Sequence, residues 1–167
     1  MKTPPLTLKE VYLQTLSEVY AAEKKYMKCF QQMAEAAYTD ELRSAISPEG
    51  TELENHLSRL SQIMEAMNLK TSRITASLDD ELLVLGKEVC GFQKQQSVLK
   101  DIQILQTATQ LVQIRIAAYE SLYLMAMALR MDNASVLLEQ CFKDYKNTVA
   151  YMSQIAQNII YPAAQRV

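Results

Sequence analysis

The chain has 167 residues, a formal net charge of -2, 49% hydrophobic residues and 22% charged residues. These values are typical of one soluble globular domain, so we expect a single domain over residues 1–167. The small net charge, with no block of Lys or Arg, argues against a nucleic-acid or anionic-membrane surface. No apolar run reaches the ~18 residues that a membrane span requires.

The composition favours helices throughout. Only 3 Gly and 4 Pro occur, whereas Ala, Leu, Gln, Glu, Lys and Met, which are good helix formers, are common. Thr7 and Glu10 form a capping box that opens the first long helix, predicted from about Leu8 to Tyr38. Its apolar stripe alternates steps of three and four residues and is interrupted by one charged residue, Glu23.

The second long helix carries its stripe from Leu42 to Met67. Glu49 and His56 belong to this stripe, and Glu52 lies on its flank one turn before His56. The sequence Ser47-Pro48-Glu49 resembles an N-cap followed by a proline of the first helical turn, which indicates a kink or a restart of the helix. Of the two, we expect a bend.

A Thr/Ser-rich loop is predicted from about Asn68 to Ser77, followed by a shorter crossover helix from Leu78 to about Cys90. The third long helix spans about Ser97 to Arg130, with Arg115 at the edge of its apolar face. The fourth follows the turn at Asp132-Asn133, includes Tyr145 in its stripe, and is predicted to run to about Tyr161, where Pro162 ends it.

The expected fold is an all-α, ferritin-like antiparallel four-helix bundle over about residues 7–161, with a long crossover between the second and third long helices.

Polar residues interrupt the middle of the first two helices. Glu23, Glu49, Glu52 and His56 are predicted to point toward one region of the bundle interior. Carboxylate and His side chains on facing helices are typical of di-iron centres. The other interpretation is a buried polar cluster that is closed by hydrogen bonds and an internal ion pair.

The chain resembles a known family, the YciE/YciF-type ferritin-like proteins of bacteria, over nearly its whole length. The most specific segment is 16–25, LSEVYAAEKK, in which a Tyr is followed three residues later by the Glu of an Ala-Glu-Lys run. Further similarity lies at Asp40-Glu41-Leu42, Arg59-Leu60 with Gln62, Ile116-Ala117-Ala118-Tyr119 and Leu137-Leu138-Glu139. The resemblance implies a bundle that is usually dimeric, is associated with bacterial stress responses and holds a di-iron site.

The family's ligand positions are only partly occupied by ligands here. On the first two helices its principal carboxylates fall on Glu23 and Glu52. Where many members have a His three residues before the second carboxylate, this chain has Glu49, and His56 lies one turn after it as a substitute. On the third helix the carboxylate positions fall on Val112 and Arg115, and on the fourth they fall on Asp144 and Tyr145.

These departures predict a polar core without metal. Arg115 adds a positive charge that repels a divalent cation and that binds carboxylates through two parallel hydrogen bonds. The Tyr145 hydroxyl is expected to donate to Glu23 or Glu52. The predicted cluster therefore consists of Glu23, Glu49, Glu52, His56, Arg115 and Tyr145, with no cofactor. The alternative is iron or another divalent metal held by Glu23, Glu52 and His56.

The resulting hypothesis is a stress-associated, non-catalytic structural or partner-binding protein, expected as a homodimer or paired with a related ferritin-like protein. The alternative is a metal-binding oxidoreductase or iron-handling protein, and a nucleic-acid protector ranks last. The first residues lack the apolar stretch of a secretory peptide. The three widely spaced cysteines, Cys29, Cys90 and Cys141, are read as reduced thiols, so a cytoplasmic location is expected.

Overall fold

The computed structural model describes residues 4–71, 75–92 and 95–167, and every regular element in these ranges is helical. The all-α prediction is confirmed; three residues of the predicted 68–77 loop, 72–74, lie outside the described ranges. The helices are α1 Leu8–Ala36, α2 Asp40–Ile46, α3 Leu53–Ala66, α4 Ser77–Gly91, α5 Val98–Ala128, α6 Asp132–Ile155, a π-helical turn at Ala156–Ile160, and α7 Tyr161–Ala164.

Four helical columns form the bundle: α1, α2 with α3, α5, and α6. The α5–α6 hairpin is its most extensive contact, α3 packs on α1 and α6, and α1 packs on α5. The crossover helix α4 lies against α1 and α5. This is the predicted four-helix bundle, in which the long connection between the second and third columns carries its own helix. No helix in the described ranges combines the length and the hydropathy that crossing a membrane requires.

The first helix begins as predicted. The Thr7 side chain accepts the Glu10 N–H at 3.2 Å, and the Glu10 carboxylate accepts the Thr7 N–H at 2.9 Å. At the other end of α1, the backbone N–H groups of Tyr38 and Thr39 donate to the buried carboxylate of Asp101 on α5, at 2.6 and 2.8 Å. This contact fixes the α1–α2 turn on the first turn of α5.

The second column restarts instead of bending. Between α2 and α3, the Ser47 hydroxyl accepts the Gly50 N–H at 3.0 Å and the Thr51 hydroxyl donates to the Ser47 carbonyl at 2.8 Å. Glu52 then adopts a left-handed conformation with φ of 58° before α3 begins. This turn interrupts the helix between Ile46 and Leu53, so the helical period does not place the residues of the turn itself.

The prediction that Pro162 ends the last long helix is wrong. The chain changes to π-helical hydrogen bonding over Ala156–Ile160, and Pro162 lies in the first turn of α7. Proline has no N–H and its ring clashes with the carbonyl four residues earlier. A π turn in front of it changes the hydrogen-bond register, which allows the helix to continue.

A buried ion-pair cluster as the candidate functional site

The centre of the bundle contains an ion pair between α1 and α5. Glu23 and Arg115 are both completely buried. Arg115 Nε donates to Glu23 Oε2 at 3.0 Å, and Nη2 donates both to the same oxygen and, at 3.0 Å, to the Val19 carbonyl. The guanidinium is therefore fixed by a side chain and a backbone group of the same helix. Arg115, predicted at the edge of the apolar face of its helix, lies fully buried at the centre of the bundle.

The second oxygen of Glu23 is bound by the other two columns. The Tyr145 hydroxyl on α6 donates to Oε1 at 2.5 Å, and Nδ1 of His56 on α3 lies 3.3 Å from the same oxygen. Tyr145 and His56 are also fully buried, and their rings are in contact, with centroids 4.5 Å apart. We refer to Glu23, His56, Arg115 and Tyr145 as the core cluster; each of the four columns supplies one member.

The cluster stabilises the ionised form of Glu23. Burial by itself raises the pKa of this carboxyl, but the charge of Arg115 and the hydrogen bonds from His56 and Tyr145 outweigh it and hold the pKa at about 2. Burial lowers the pKa of Arg115, and the Glu23 carboxylate more than compensates, so this pKa lies above its ordinary value. Both groups are charged at any physiological pH.

One branch of polar contacts leads from the core cluster to the surface through His56. Its Nε2 lies 3.4 Å from Asp144 Oδ2, and the same oxygen accepts a hydrogen bond from Arg59 Nη1 at 2.6 Å. Burial lowers the pKa of His56, whereas the carboxylates of Asp144 and Glu23 raise it, and the net effect is a raised pKa. The His56 ring thus links a buried carboxylate to a partly exposed one.

A second branch surrounds the guanidinium. The carbon atom at its centre lies 4.6 Å from the ring centroid of Tyr26 and 5.5 Å from that of Tyr119. Its Nη1 lies 3.6 Å from Asp79 on the crossover helix, and the Tyr26 hydroxyl donates to that same carboxylate at 2.8 Å. Stacking on aromatic rings suits the planar, weakly hydrated guanidinium.

Two predicted members do not join the core cluster. Glu49 and Glu52 are exposed in the turn between α2 and α3, where the Asn55 side-chain amide donates to Glu52. Their predicted inward position assumed an unbroken helical period, and the turn at 47–52 breaks it. The predicted alternative metal site of Glu23, Glu52 and His56 is therefore not assembled.

Three residues outside the predicted cluster take part in it or its branches. Asp144 lies partly buried beside His56 and Arg59. Tyr26 was not singled out, although it follows Glu23 by three residues and so shares its helix face. Asp79, at the start of the crossover helix, lies beside Arg115 and Tyr26. The available signal was the Asp144-Tyr145 pair, which occupies the two family ligand positions of the fourth helix.

The residues present do not fit a di-iron centre. Such a centre in a helical bundle uses about four carboxylates together with His ligands. Here Glu23 is the only fully buried carboxylate among the cluster and its neighbours, its two oxygens already accept hydrogen bonds, and a guanidinium lies against it. In the described part of the chain, no three His, Cys, Asp or Glu side chains converge in a group that could hold a metal ion.

The chain matches a known protein family. Residues 7–165 match the family described as a domain of unknown function, DUF892. The chain is 25% identical over 160 residues to protein YciF of Escherichia coli strain K12, a match that covers 95% of this chain and 96% of that protein. The predicted resemblance to YciE/YciF-type proteins is confirmed.

Solved structures show the same fold. The crystal structure of the E. coli stress protein YciF superposes with a TM-score of 0.85, at 24% identity, over 92% of this chain and 97% of that one. A second structure, YcfI from Rhodopseudomonas palustris, gives a TM-score of 0.83 at 22% identity with the same coverage. The fold of this chain is thus shared with both structures.

Proposed function

This chain belongs to the DUF892 family, and we propose that it is a non-catalytic member in which the guanidinium of Arg115 stands in place of a metal ion. One observation carries the proposal: Arg115, with no exposed surface, is paired with Glu23 at the middle of the bundle. In this role the protein is a structural or partner-binding bundle without a redox centre.

The charges around Glu23 support the proposal. The core cluster and its two branches contain two guanidinium groups, Arg59 and Arg115, and the imidazole of His56, whose pKa is raised. They also contain three carboxylates, which belong to Glu23, Asp79 and Asp144. A divalent cation added to this group would be repelled by the adjacent guanidinium and would have to displace it from Glu23.

The biological setting is proposed from the relatives. The E. coli protein that matches over nearly the full length is described as a stress protein. We extend a stress-associated role to this chain, with a cytoplasmic location and a homodimer, or a complex with a metal-competent relative, as the working assembly. In such an assembly this chain would contribute its folded surface and the relative would contribute any redox chemistry.

Metal analysis tests the proposal directly. Protein is incubated with Fe(II) without oxygen, or with Mn(II) or Zn(II), desalted and measured by inductively coupled plasma mass spectrometry. We expect clearly less than one ion per chain for every metal. The variants Glu23→Gln and His56→Gln are measured in parallel. About one or two ions per chain that disappear in these variants would overturn the proposal, whereas ions that they retain are bound elsewhere.

A second measurement addresses catalysis. With Fe(II) and air, oxygen consumption by the protein is expected to equal that of buffer, because no described group of side chains can hold the iron. The variant Glu23→Gln is the control. A wild-type rate above buffer that falls to the buffer rate in Glu23→Gln would favour the oxidoreductase alternative.

A further inference from the structure

The crossover helix α4 presents an apolar row to solvent. Leu78, Leu85 and Phe92 are 55%, 47% and 68% exposed. They are spaced seven residues apart, so they lie along one line of the helix, next to the buried Val89. The apolar face of α4 is therefore wider than the part that α1 and α5 cover. We refer to these three residues as the α4 stripe.

An acidic row runs beside the α4 stripe. Glu81 and Glu88 are both exposed, are also seven residues apart, and lie three residues after Leu78 and Leu85, respectively. The basic residue of this helix, Lys87, lies on the other side, where it lines a groove with Lys25 and Lys28 of α1. Lys87 therefore does not neutralise the acidic row.

Residues 102–117 of the neighbouring helix α5 do not add an exposed charge. The exposed side chains in this range are uncharged: Gln106, Gln110, Gln113 and Ala117. The stripe and its flank thus form an apolar line with a row of carboxylates along one side. In helix-to-helix recognition, the apolar line provides the contact area and the flanking charges select the partner.

From this complementarity we infer that the outer face of α4 docks an amphipathic helix of another protein, one with an apolar stripe flanked by Lys or Arg. The inference specifies the partner for the proposed partner-binding role, on which it rests. A second copy of this chain fits less well, because its own α4 would bring the same acidic row to the interface. An anionic lipid surface is disfavoured by the same carboxylates.

A peptide titration with the full chain tests the docking surface. The probes are two fluorescent synthetic helices of about three heptads with Leu at the apolar positions. One carries Lys at the flanking positions and the other carries Glu. Fluorescence anisotropy is expected to show about tenfold tighter binding of the Lys helix. Equal affinity for the two helices would overturn the charge argument.

Variants locate the binding. The pair Leu85→Gln and Phe92→Gln is expected to weaken binding of the Lys helix about tenfold. Leu124→Gln on α5, which removes a leucine that is 57% exposed, is the matched control and should leave it unchanged. The pair Glu81→Lys and Glu88→Lys should reverse the preference toward the Glu helix. The inference would be contradicted if Leu124→Gln weakened binding while the Leu85→Gln and Phe92→Gln pair did not. It would also be contradicted if the Glu81→Lys and Glu88→Lys pair still preferred the Lys helix.

Sedimentation equilibrium tests whether a second copy of this chain binds the α4 stripe. If the chain self-associates and Leu85→Gln with Phe92→Gln abolishes this, the stripe is occupied by a second copy and the basic partner is rejected. If the variant has the wild-type mass in solution, the stripe remains available as inferred. Because these substitutions lie outside the core cluster, a negative peptide result leaves the metal measurements unaffected, so the two proposals fail separately.

Discussion

The guanidinium carbon of Arg115 lies 4.6 Å from the ring centroid of Tyr26, a residue one helical turn after Glu23 on the same helix. Helix α1 therefore supplies both the carboxylate that binds the edge of the guanidinium and the aromatic face on which it stacks. A planar cation with several donors satisfies both contacts at once, which a lysine ammonium does not. The geometry of α1 is specific for arginine at this position of α5.

The first prediction concerns removal of this cation. Arg115→Ala leaves the ionised Glu23 buried without the guanidinium that it is paired with, so the free energy of unfolding should fall by about 3–5 kcal/mol. Urea unfolding monitored by circular dichroism measures it. Arg43→Ala, which removes a largely exposed ion pair with Asp40, is the control and should cost about 1 kcal/mol or less. Equal costs in the two variants would refute the role assigned to Arg115.

A second prediction compares replacing both members of the Glu23–Arg115 ion pair with replacing one of them. Replacing both charges, with Glu23→Leu and Arg115→Met, avoids leaving an isolated buried charge. The double variant should therefore be less destabilised than the sum of its single variants, by about 1–3 kcal/mol of coupling. Urea unfolding of all four proteins in the cycle provides this value. Additive effects would mean that the two side chains act independently.

A third prediction isolates one hydrogen bond. Tyr145→Phe keeps the ring but removes the hydroxyl that donates to Glu23, and we expect it to cost about 1.5–3 kcal/mol because the acceptor is charged. Tyr119→Phe is the matched control. Its hydroxyl is buried and has no hydrogen-bond partner among the described residues, so its removal should be neutral or stabilising. The thermal unfolding midpoint of Tyr145→Phe should therefore be lower than that of Tyr119→Phe.

The sequence predicted the residues of the core cluster that lie on uninterrupted helices. Glu23, Arg115 and Tyr145 each belong to a helix whose period continues through the middle of the bundle, so their inward positions follow from spacing. Glu49 and Glu52 could not be placed in this way. The hydrogen bonds of the turn at 47–52 and the left-handed Glu52 are tertiary and local features that a periodic pattern does not contain.

The position of the crossover helix explains why Asp79 was not predicted. Asp79 contacts Arg115 and Tyr26 because α4 packs on α1, and the long connection in front of α4 does not fix where this helix docks. His56 was placed correctly because α3 restarts close to its expected register. Its contact with Asp144, however, depends on how α6 packs against α3, which the separate helix patterns do not determine.

Close packing of the crossover helix gives a fourth prediction. A Cβ added at Gly86 would lie 2.3 Å from Cys29 Sγ on α1, whereas one added at Gly91 meets nothing within 4 Å. Gly86→Ala should therefore destabilise the protein by about 1–3 kcal/mol through overpacking. Gly91→Ala should be neutral or stabilise it by up to about 1 kcal/mol through helix propensity.

The double variant Gly86→Ala with Cys29→Ala separates overpacking from other effects, because it removes the sulfur atom that the new methyl group meets. Its unfolding midpoint in urea should be higher than that of Gly86→Ala. If adding Cys29→Ala lowers the midpoint further, the close approach of α4 to α1 at this position is not the cause of the destabilisation.

The fifth prediction concerns pH. His56 is the only histidine of the chain, so its ring proton signals in an NMR titration need no assignment by mutation. Burial lowers its pKa, but Asp144 and Glu23 raise it above the ordinary value of 6.5. The titration should therefore give a pKa above 6.5 in the folded protein, and Asp144→Asn should move it down. A wild-type value at or below 6.5 would contradict the ion-pair assignment.

The same shift fixes the sign of the stability change. Because the folded protein binds this proton more tightly than the unfolded chain, the contribution of His56 is fully present below pH 6.5 and is lost as the pH rises through the folded pKa. The difference in unfolding free energy between the wild type and His56→Gln should accordingly be largest in the acidic part of the range and decrease toward alkaline pH. A difference that is constant with pH would show that the imidazole contributes by packing alone.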